Sequence, residues 1–387
     1  MGPGVSPVSL NRIGVAGRCA GKGESNMGTT LDLSELKQKI GQLFMIGIPG
    51  PRLDRDTDAL IREYNIGGVI LFSRNIQEPL QLTALCRDLQ ERALKYHGTP
   101  LFLAVDQEGG PVARLKEPFT VFPGNRAIGS GDYPERRADE FGRVTAREMR
   151  LVGLNMDLAP VVDVPEGEPE RHLRGRTFGE DPERVARLGR IVIRALQKNG
   201  VMAVAKHFPG LGRAERDPHA ELPRISQDLS EIRSVNLHPF RAAIKEGVCG
   251  IMTSHALYPA LDPVCPATLS PSVLTGLLRE EMGYDGLVLT DDLEMGAVAR
   301  GWGVAEGAAE ALEAGADILL VCKDQERARE GLELVCNRVL QGRLSNERLE
   351  ISRRRIIRAK ERFLSRWEPP SYSRVKQYFR LQGAGAG

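Results

Sequence analysis

Eight short apolar runs occur along the chain, and between them apolar residues recur at the spacing of a helix. The runs occupy residues 43–48, 68–72, 101–105, 154–158, 201–205, 250–253, 286–290 and 318–321. Uninterrupted apolar runs of this length are typical of parallel strands that are covered on both faces. Eight such strands with helices between them predict an α/β protein with one closed (β/α)8 barrel of the TIM type, in a single domain. A doubly wound open sheet is the alternative, because the pattern alone does not establish closure.

Helix ends are marked by residue types that satisfy the free backbone groups there. Asp181 followed by Pro182 predicts a helix start, since the aspartate can cap the first turn and proline suits its first position. Gly153 and Gly315 stand where a left-handed C-terminal cap would fall. These marks support the alternation of strands and helices.

The segmentation that we predict has three parts. Residues 1–29 are rich in Gly, Ser and Pro and lack the apolar core of a signal peptide, so we expect a disordered leader. Residues 30–365 form the catalytic barrel, and residues 366–387 form a C-terminal tail. No second α/β domain is expected after the barrel, and no apolar run approaches the roughly 20 residues that span a bilayer.

Composition limits the partners and the compartment. The 53 basic and 51 acidic residues leave a net charge of +2, which argues against a nucleic-acid partner. None of the six cysteines forms a C-x-x-C pair, so we expect no structural metal and a reducing compartment, the cytoplasm. We further expect a monomer that needs no cofactor.

Polar residues gather where five of the predicted strands end or have just ended. The clusters are residues 106–110 after the third run, Asn155, Asp157 and Asp163 around the fourth, residues 206–210 after the fifth, residues 254–255 after the sixth and residues 291–292 after the seventh. Since the carboxyl ends of barrel strands meet at one face, these clusters predict a functional site there.

The residue types in these clusters favour sugar hydrolysis. There is no G-x-S-x-G elbow and no phosphate-binding Gly-Lys-Ser/Thr loop. His207, Asp217 and His219 offer metal-ligand types, but their irregular spacing argues against a metal site. Glycoside hydrolysis instead needs an anionic nucleophile below the anomeric carbon and a proton donor at the leaving oxygen.

Four blocks of sequence resemble glycoside hydrolase family 3, in its β-N-acetylglucosaminidase branch. They are DQEGGPVAR at residues 106–114, RTFGEDP at 176–182, KHFPGLGRAERDPHAELP at 206–223 and LTDDLEMG at 289–296. Their order and approximate spacing agree with the family, over roughly residues 33–364. The resemblance implies a retaining exo-β-N-acetylglucosaminidase that acts on small carbohydrates, namely muropeptide fragments in cell-wall recycling.

The resemblance also implies a role for individual residues. Asp291 aligns with the nucleophile, His219 with the general acid/base and Asp217 with the partner that orients it. The residues that align with the sugar-holding positions are Asp106, Arg114, Arg176, Lys206 and His207, and His255 is expected near the same pocket. The chemistry is consistent, because an imidazole with a pKa of about 6.5 can donate a proton and then accept one from water.

Other interpretations of these residues stay open. Asp292 is an alternative nucleophile, the Asp217–His219 pair could be an ordinary loop hydrogen bond, and Arg114 or Arg176 could simply neutralise a barrel carboxylate. We expect His172 and His238 to be structural or exposed rather than catalytic.

The acid/base segment departs from the family pattern. Leu211 stands where the branch usually has histidine, Arg213 and Ala214 replace an acidic residue and threonine, and Pro218 lies between Asp217 and His219. This changed loop motivates one alternative function, a non-catalytic sugar-binding protein. A phosphorylase of the same lineage is a second alternative, because a neutral histidine base would not repel an incoming phosphate. A β-glucosidase or β-xylosidase is a third.

Overall fold

The barrel predicted from the apolar runs is present and closed. The computed structural model describes residues 32–167, 172–212, 217–218 and 221–381. Within these ranges eight parallel strands pair in chain order around a ring, and the last strand pairs with the first through Leu319 and Phe44. The strands are β1 Phe44–Gly47, β2 Gly68–Leu71, β3 Phe102–Val105, β4 Met156–Asp157, β5 Met202–Phe208, β6 Gly250–Thr253, β7 Leu287–Asp292 and β8 Ile318–Val321. The (β/α)8 prediction is confirmed, and the open sheet is excluded.

Two strands extend further than their apolar runs. β5 continues to Phe208, which pairs with Thr253 of β6, and β7 continues to Asp292, which pairs with Leu320 of β8. Both pairings follow a register shift in the ladder. Lys206, His207 and Asp291 therefore lie inside strands and not in the loops after them, because backbone pairing persists where the side chains have become polar.

Helices follow the strands along the chain. They are α1 Leu33–Gly41, α2 Arg55–Tyr64, α3 Pro79–His97, α4 Asn125–Ser130, α5 Pro134–Val152, α6 Pro182–Lys198, α7 Leu229–Glu231, α8 Leu237–Lys245, α9 Gly296–Ala299, α10 Val304–Ala314, α11 Gln325–Leu340, α12 Asn346–Leu364 and α13 Tyr372–Phe379. Ile232–Asn236 and Ser272–Glu281 are π-helical, Ser73–Asn75 and Ala267–Leu269 are single 3₁₀ turns, and Gln107–Gly109 pairs with Val112–Ala113 as a small antiparallel ribbon.

The predicted helix ends are present, and Gly153 takes the predicted left-handed cap conformation, whereas Gly315 has a positive φ that lies outside that region. The Asp181 side chain accepts a hydrogen bond from the Glu183 backbone N–H, and Pro182 opens α6. Gly153 and Gly315 follow α5 and α10 with φ of +99° and +130°, values that disfavour any residue with a side chain. The helices thus stop where the glycines allow the chain to turn back towards the next strand.

The C-terminal segment carries structure of its own. Within the predicted tail, α13 buries Val375 and Phe379, and the Phe379 ring meets Phe119 edge-on with centroids 4.7 Å apart. The predicted leader at residues 1–29 lies outside the described residues. No helix within the described ranges combines the length and apolar character needed to cross a membrane.

Candidate active site

A cavity of about 480 Å³ opens at the C-terminal ends of the strands. Its wall contains seven of the nine predicted site residues, which are Asp106, Arg114, Arg176, Lys206, His207, Asp217 and Asp291. His219 lies outside the described residues, and His255 is buried behind the wall. The barrel therefore gathers residues that are up to 185 positions apart along the chain, from Asp106 to Asp291.

A buried network of opposite charges forms one side of this cavity. The Lys206 ammonium lies 2.7 Å from Asp106 Oδ1 and 2.8 Å from Glu108 Oε1. Arg176 donates from Nε and Nη2 to the two oxygens of Glu108, both at 2.8 Å. Lys206 and Glu108 are almost fully buried. Their charges are tolerated because each faces an opposite charge across a hydrogen bond.

Arg114 and Arg176 each pair with a carboxylate, which was the alternative to a role in sugar binding. Arg176 also donates through Nη1 to the His172 backbone oxygen at 2.7 Å, so three of its donors are engaged within the protein. Arg114 makes a longer contact, with Nη2 3.4 Å from Asp106 Oδ2, and is partly exposed. Arg114 therefore retains more capacity to bind a ligand than Arg176 does.

These contacts fix the charge states in the network. Burial raises the pKa of Glu108, but Lys206 and Arg176 outweigh it and bring the pKa down to about 2. Burial also raises the pKa of Asp106, and the charges of Lys206 and Arg114 leave it below its usual value. For Lys206 burial lowers the pKa, while Asp106 and Glu108 raise it by more. All three groups are charged at neutral pH.

His207 is held by a carboxylate behind it. Its Nδ1 lies 2.7 Å from Asp163 Oδ2, and Asp163 Oδ1 also accepts the backbone N–H groups of His207 and Leu211. Burial raises the pKa of Asp163, but His207 and these hydrogen bonds outweigh it and lower the pKa overall. With Nδ1 occupied, the other ring nitrogen, Nε2, is the one available to a ligand in the cavity.

Asp291 and Asp292 are adjacent but have different environments. Burial raises the pKa of Asp291, but the nearby His207 and His255 side chains and the Asp292 N–H lower it below its usual value. For Asp292 burial dominates and raises the pKa to about 6. One oxygen of Asp292 already accepts N–H groups of Glu294 and Cys322. Asp291 is therefore the more readily ionised carboxylate of the two.

His255 supports the strand that carries these two carboxylates. Its Nδ1 lies 2.8 Å from Thr268 Oγ1 and its Nε2 lies 3.0 Å from the Asp292 backbone oxygen. The residue is buried, so its contacts position the end of β7 and do not face the cavity directly.

Three described residues of the acid/base segment reach the cavity. They are Leu211, Asp217 and Pro218, and the Pro218 backbone oxygen accepts the N–H of Ala297 at the start of α9. This bond ties the segment to the chain just after the predicted nucleophile. Arg213, Ala214 and His219 lie outside the described residues.

Three residues of the site were not predicted for it. Glu108 and Asp163 belong to the polar clusters in the sequence, but only their position shows that they hold Lys206, Arg176 and His207. His172 was expected to be structural or exposed, yet it lines the cavity and neither ring nitrogen finds a partner among the described residues. Nothing in the local sequence distinguishes His172, because its loop has no regular pattern.

Among the described residues, no group of three His, Cys, Asp or Glu side chains is placed to hold a metal ion. The barrel with a charged cavity at the carboxyl ends of its strands defines a barrel enzyme that binds a small polar ligand.

Comparison with known proteins identifies the family. The model of the glycosyl hydrolase family 3 N-terminal domain matches residues 35–359. The chain is 38% identical to a β-hexosaminidase of Thiobacillus denitrificans over 293 residues, 74% of this chain and 80% of that protein. It is also 38% identical to a β-hexosaminidase of Pseudomonas aeruginosa over 284 residues, 73% of this chain and 83% of the relative.

A solved structure agrees with these matches. The family 3 β-N-acetylglucosaminidase of Paenibacillus sp. superposes with a TM-score of 0.83 at 40% identity, over 89% of this chain and 67% of that one. The chain belongs to glycosyl hydrolase family 3. It is a glycoside hydrolase, in the group whose curated members are named β-hexosaminidases.

Proposed function

We propose that this glycoside hydrolase is a retaining exo-β-N-acetylglucosaminidase with Asp291 as its nucleophile. The observation that carries the proposal is that Asp291 and Asp217 line the same cavity as the charged network around Lys206. A carboxylate, the acid/base segment and sugar-binding groups in one small cavity are the components that glycoside hydrolysis requires.

In the first step, an Asp291 oxygen attacks the anomeric carbon and the glycosidic bond breaks. Oδ1 accepts the Asp292 N–H at 2.8 Å, which leaves Oδ2 for the attack. Nearby His207, His255 and Lys206 keep Asp291 ionised by lowering its pKa. A covalent glycosyl-enzyme results, and splitting one difficult step into two lowers the barrier. Asp292, with a pKa of about 6, is a weaker candidate for this role.

His219 gives a proton to the leaving oxygen and then takes one from the water that releases the sugar. Proton transfer of this kind contributes roughly 10² to 10⁴ in rate. Asp217, two residues earlier in the chain, orients the ring and stabilises its charged form, the task that the aspartate performs in serine-protease triads.

The remaining cavity residues hold one sugar unit. Asp106, Lys206 and His207 offer acceptors and donors for ring hydroxyls, and Arg114 keeps donors free for the same purpose. Arg176 acts through Glu108, which it holds in place. The cavity of about 480 Å³ has the size of a small-molecule site, which suits the removal of terminal residues.

The first test combines turnover with trapping. We expect release of nitrophenol from 4-nitrophenyl β-N-acetylglucosaminide, and loss of about 10³ or more in kcat for Asp291→Asn. Asp292→Asn is the matched control, because asparagine keeps an oxygen for the Glu294 and Cys322 N–H groups. A 5-fluoro glycoside should label the peptide that contains Asp291. A label on another residue, or wild-type turnover in Asp291→Asn, would refute the assignment.

The reaction products discriminate between hydrolysis and the alternatives. Free sugar in millimolar phosphate supports a hydrolase, whereas sugar 1-phosphate would identify a phosphorylase. Faster turnover of β-glucosides or β-xylosides than of N-acetylglucosaminides would reject the substrate class. Binding without turnover on every glycoside would reject catalysis.

We further propose that the natural substrates are muropeptide fragments and that the enzyme works in the cytoplasm. The five cysteines of the described residues are free thiols, which is usual for a protein of a reducing compartment. Incubation with purified muropeptides, followed by mass spectrometry, should show loss of one N-acetylglucosamine. Intact muropeptides alongside rapid turnover of the nitrophenyl glycoside would reject this substrate.

A further inference from the structure

A second pocket of about 440 Å³ adjoins the candidate active site at the same face of the barrel. It is lined by Pro49, Phe72, Arg74, Asp292, Cys322 and Lys323, and we call these six residues the rim pocket. Phe72, Asp292 and Cys322 also line the first cavity. The rim pocket is therefore the outward continuation of the catalytic cavity, beside the strand that carries Asp291.

Arg74 is held at the rim with its charge uncompensated. Its Nε donates to the Ile48 backbone oxygen at 2.9 Å and its Nη2 donates to that of Cys322 at 2.5 Å. These bonds fix the guanidinium at the ends of β1 and β8. No carboxylate pairs with it among the described residues, in contrast to Arg176, which Glu108 neutralises.

Lys323 brings a second positive charge to the same pocket. Its backbone N–H donates to Glu294 at 2.6 Å, which fixes the main chain, while its side chain is exposed and forms no ion pair within the described ranges. Asp292 is the carboxylate of the rim pocket, and one of its oxygens already accepts two backbone N–H groups. A second carboxylate, Glu294, lies beside the pocket, but one of its oxygens is engaged by the backbone N–H groups of Lys323 and Asp324. Arg74 and Lys323 are therefore the cations of the rim pocket, and each nearby carboxylate already has an oxygen bound to two backbone N–H groups.

The aromatic ring of Phe72 links the two cavities. The guanidinium carbon of Arg74 lies 4.6 Å from the ring centroid, and that of Arg114 lies 5.7 Å from it. The ring therefore contacts both a predicted sugar-binding arginine and the rim cation, and it lines both cavities. A ligand that extends from the sugar cavity on this side passes Phe72 and reaches Arg74 and Lys323.

We propose that the rim pocket is a leaving-group subsite for aglycones that carry a carboxylate. The inference rests on the proposed glycosidase function and adds that the group released from the sugar is negatively charged. Arg74 and Lys323 bind the carboxylate, and Phe72 contacts the apolar part of the aglycone. Because both cations face solvent, the preference is moderate and depends on ionic strength.

The test compares two fluorogenic substrates that differ in aglycone charge. They are the 3-carboxyumbelliferyl and 4-methylumbelliferyl β-N-acetylglucosaminides, and the readout is the ratio of their kcat/KM values. The two leaving groups differ in chemical reactivity, but this difference contributes the same factor to the ratio in every variant. A change in the ratio between variants therefore reports the contact with the aglycone. Lys323 is the residue to change, because Arg74 also holds two backbone oxygens.

We expect the ratio to fall in the order wild type, Lys323→Gln, Lys323→Glu, with a total change of about tenfold. About 0.5 M sodium chloride should remove most of this difference, because it screens exposed charges. Lys198→Glu, an exposed lysine in the last turn of α6, is the matched control and should leave the ratio at its wild-type value.

The outcomes separate the two proposals. Equal ratios in wild type and both Lys323 variants overturn the rim subsite and leave the glycosidase function standing. Absence of turnover on both substrates in the wild type refutes the glycosidase function, and the subsite with it.

Discussion

Glu108 is expected to stabilise both the fold and the active site, although it was not predicted as a site residue. Its side chain is fully buried, accepts two hydrogen bonds from Arg176 and forms an ion pair with Lys206, each at 2.8 Å. Glu108→Gln keeps the shape but removes the charge, and it turns an NH₂ group towards one of the cations. Lys206 then keeps its ion pair with Asp106, whereas Arg176 loses the carboxylate that its Nε and Nη2 contact.

The loss of stability in Glu108→Gln can be estimated in two independent ways. The pKa of Glu108 falls from its ordinary 4.5 to about 2 on folding. At about 1.4 kcal/mol for each tenfold change in proton affinity, this corresponds to roughly 3 kcal/mol. Removing one partner from a buried ion pair typically costs about 3–5 kcal/mol. We therefore expect Glu108→Gln to lower the free energy of unfolding by about 3 kcal/mol and to reduce kcat/KM strongly.

The contribution of Glu108 to the free energy of unfolding depends on pH, in a direction set by its pKa shift. The folded-state pKa of Glu108 lies below its unfolded value, so its contribution is fully present above pH 4.5 and is lost as the pH falls towards 2. Urea unfolding should show a constant difference between wild type and Glu108→Gln from pH 8 to about 5, and a shrinking difference below pH 4.5.

The matched control is Glu281→Gln, which removes an exposed ion pair with Arg233 at 2.7 Å. Exposed pairs contribute about 0–1 kcal/mol, so this variant should unfold close to wild type. If Glu108→Gln were no less stable than Glu281→Gln, or if its deficit did not change below pH 4.5, the buried charge network would not have the role assigned to it.

Three further predictions concern other buried polar residues and one glycine. Burial lowers the pKa of Lys360 from 10.5 to about 7, so the cost of burying its charge is absent above pH 10.5 and complete below pH 7. Lys360→Met should therefore raise the free energy of unfolding at pH 7 by about 2 kcal/mol, after the loss of the hydrogen bond to Gln42. An unchanged or lower free energy of unfolding would contradict this. Asp163→Asn should reduce kcat/KM by about 10- to 100-fold through misorientation of His207, and a change under twofold would count against that role. Gly124→Ala should lower the melting temperature, because φ is +95° and the new Cβ would lie 3.0 Å from Gly110 Cα; an unchanged melting temperature would show that the loop relaxes.

The sequence alone predicted the barrel because its signals are local. Apolar runs such as Ile318–Val321 are buried on both sides, and this requirement is visible in the residues themselves. Capping also depends on neighbours in the chain, so Asp181 and Gly153 marked helix ends correctly. The polar clusters that follow the apolar runs placed Asp106, Lys206 and Asp291 at strand ends, and the structure puts all three around one cavity.

Only the tertiary structure decided which charges meet. Glu108 contacts Arg176 across 68 positions and Asp163 contacts His207 across 44, and no local pattern encodes such distances. His172 faces the cavity because its loop is placed by the barrel and not by periodicity. The unequal pKa values of Asp291 and Asp292 likewise arise from burial and from side chains that other strands supply. Propensity and capping act between neighbours in the chain, whereas desolvation and charge pairing depend on the closed fold.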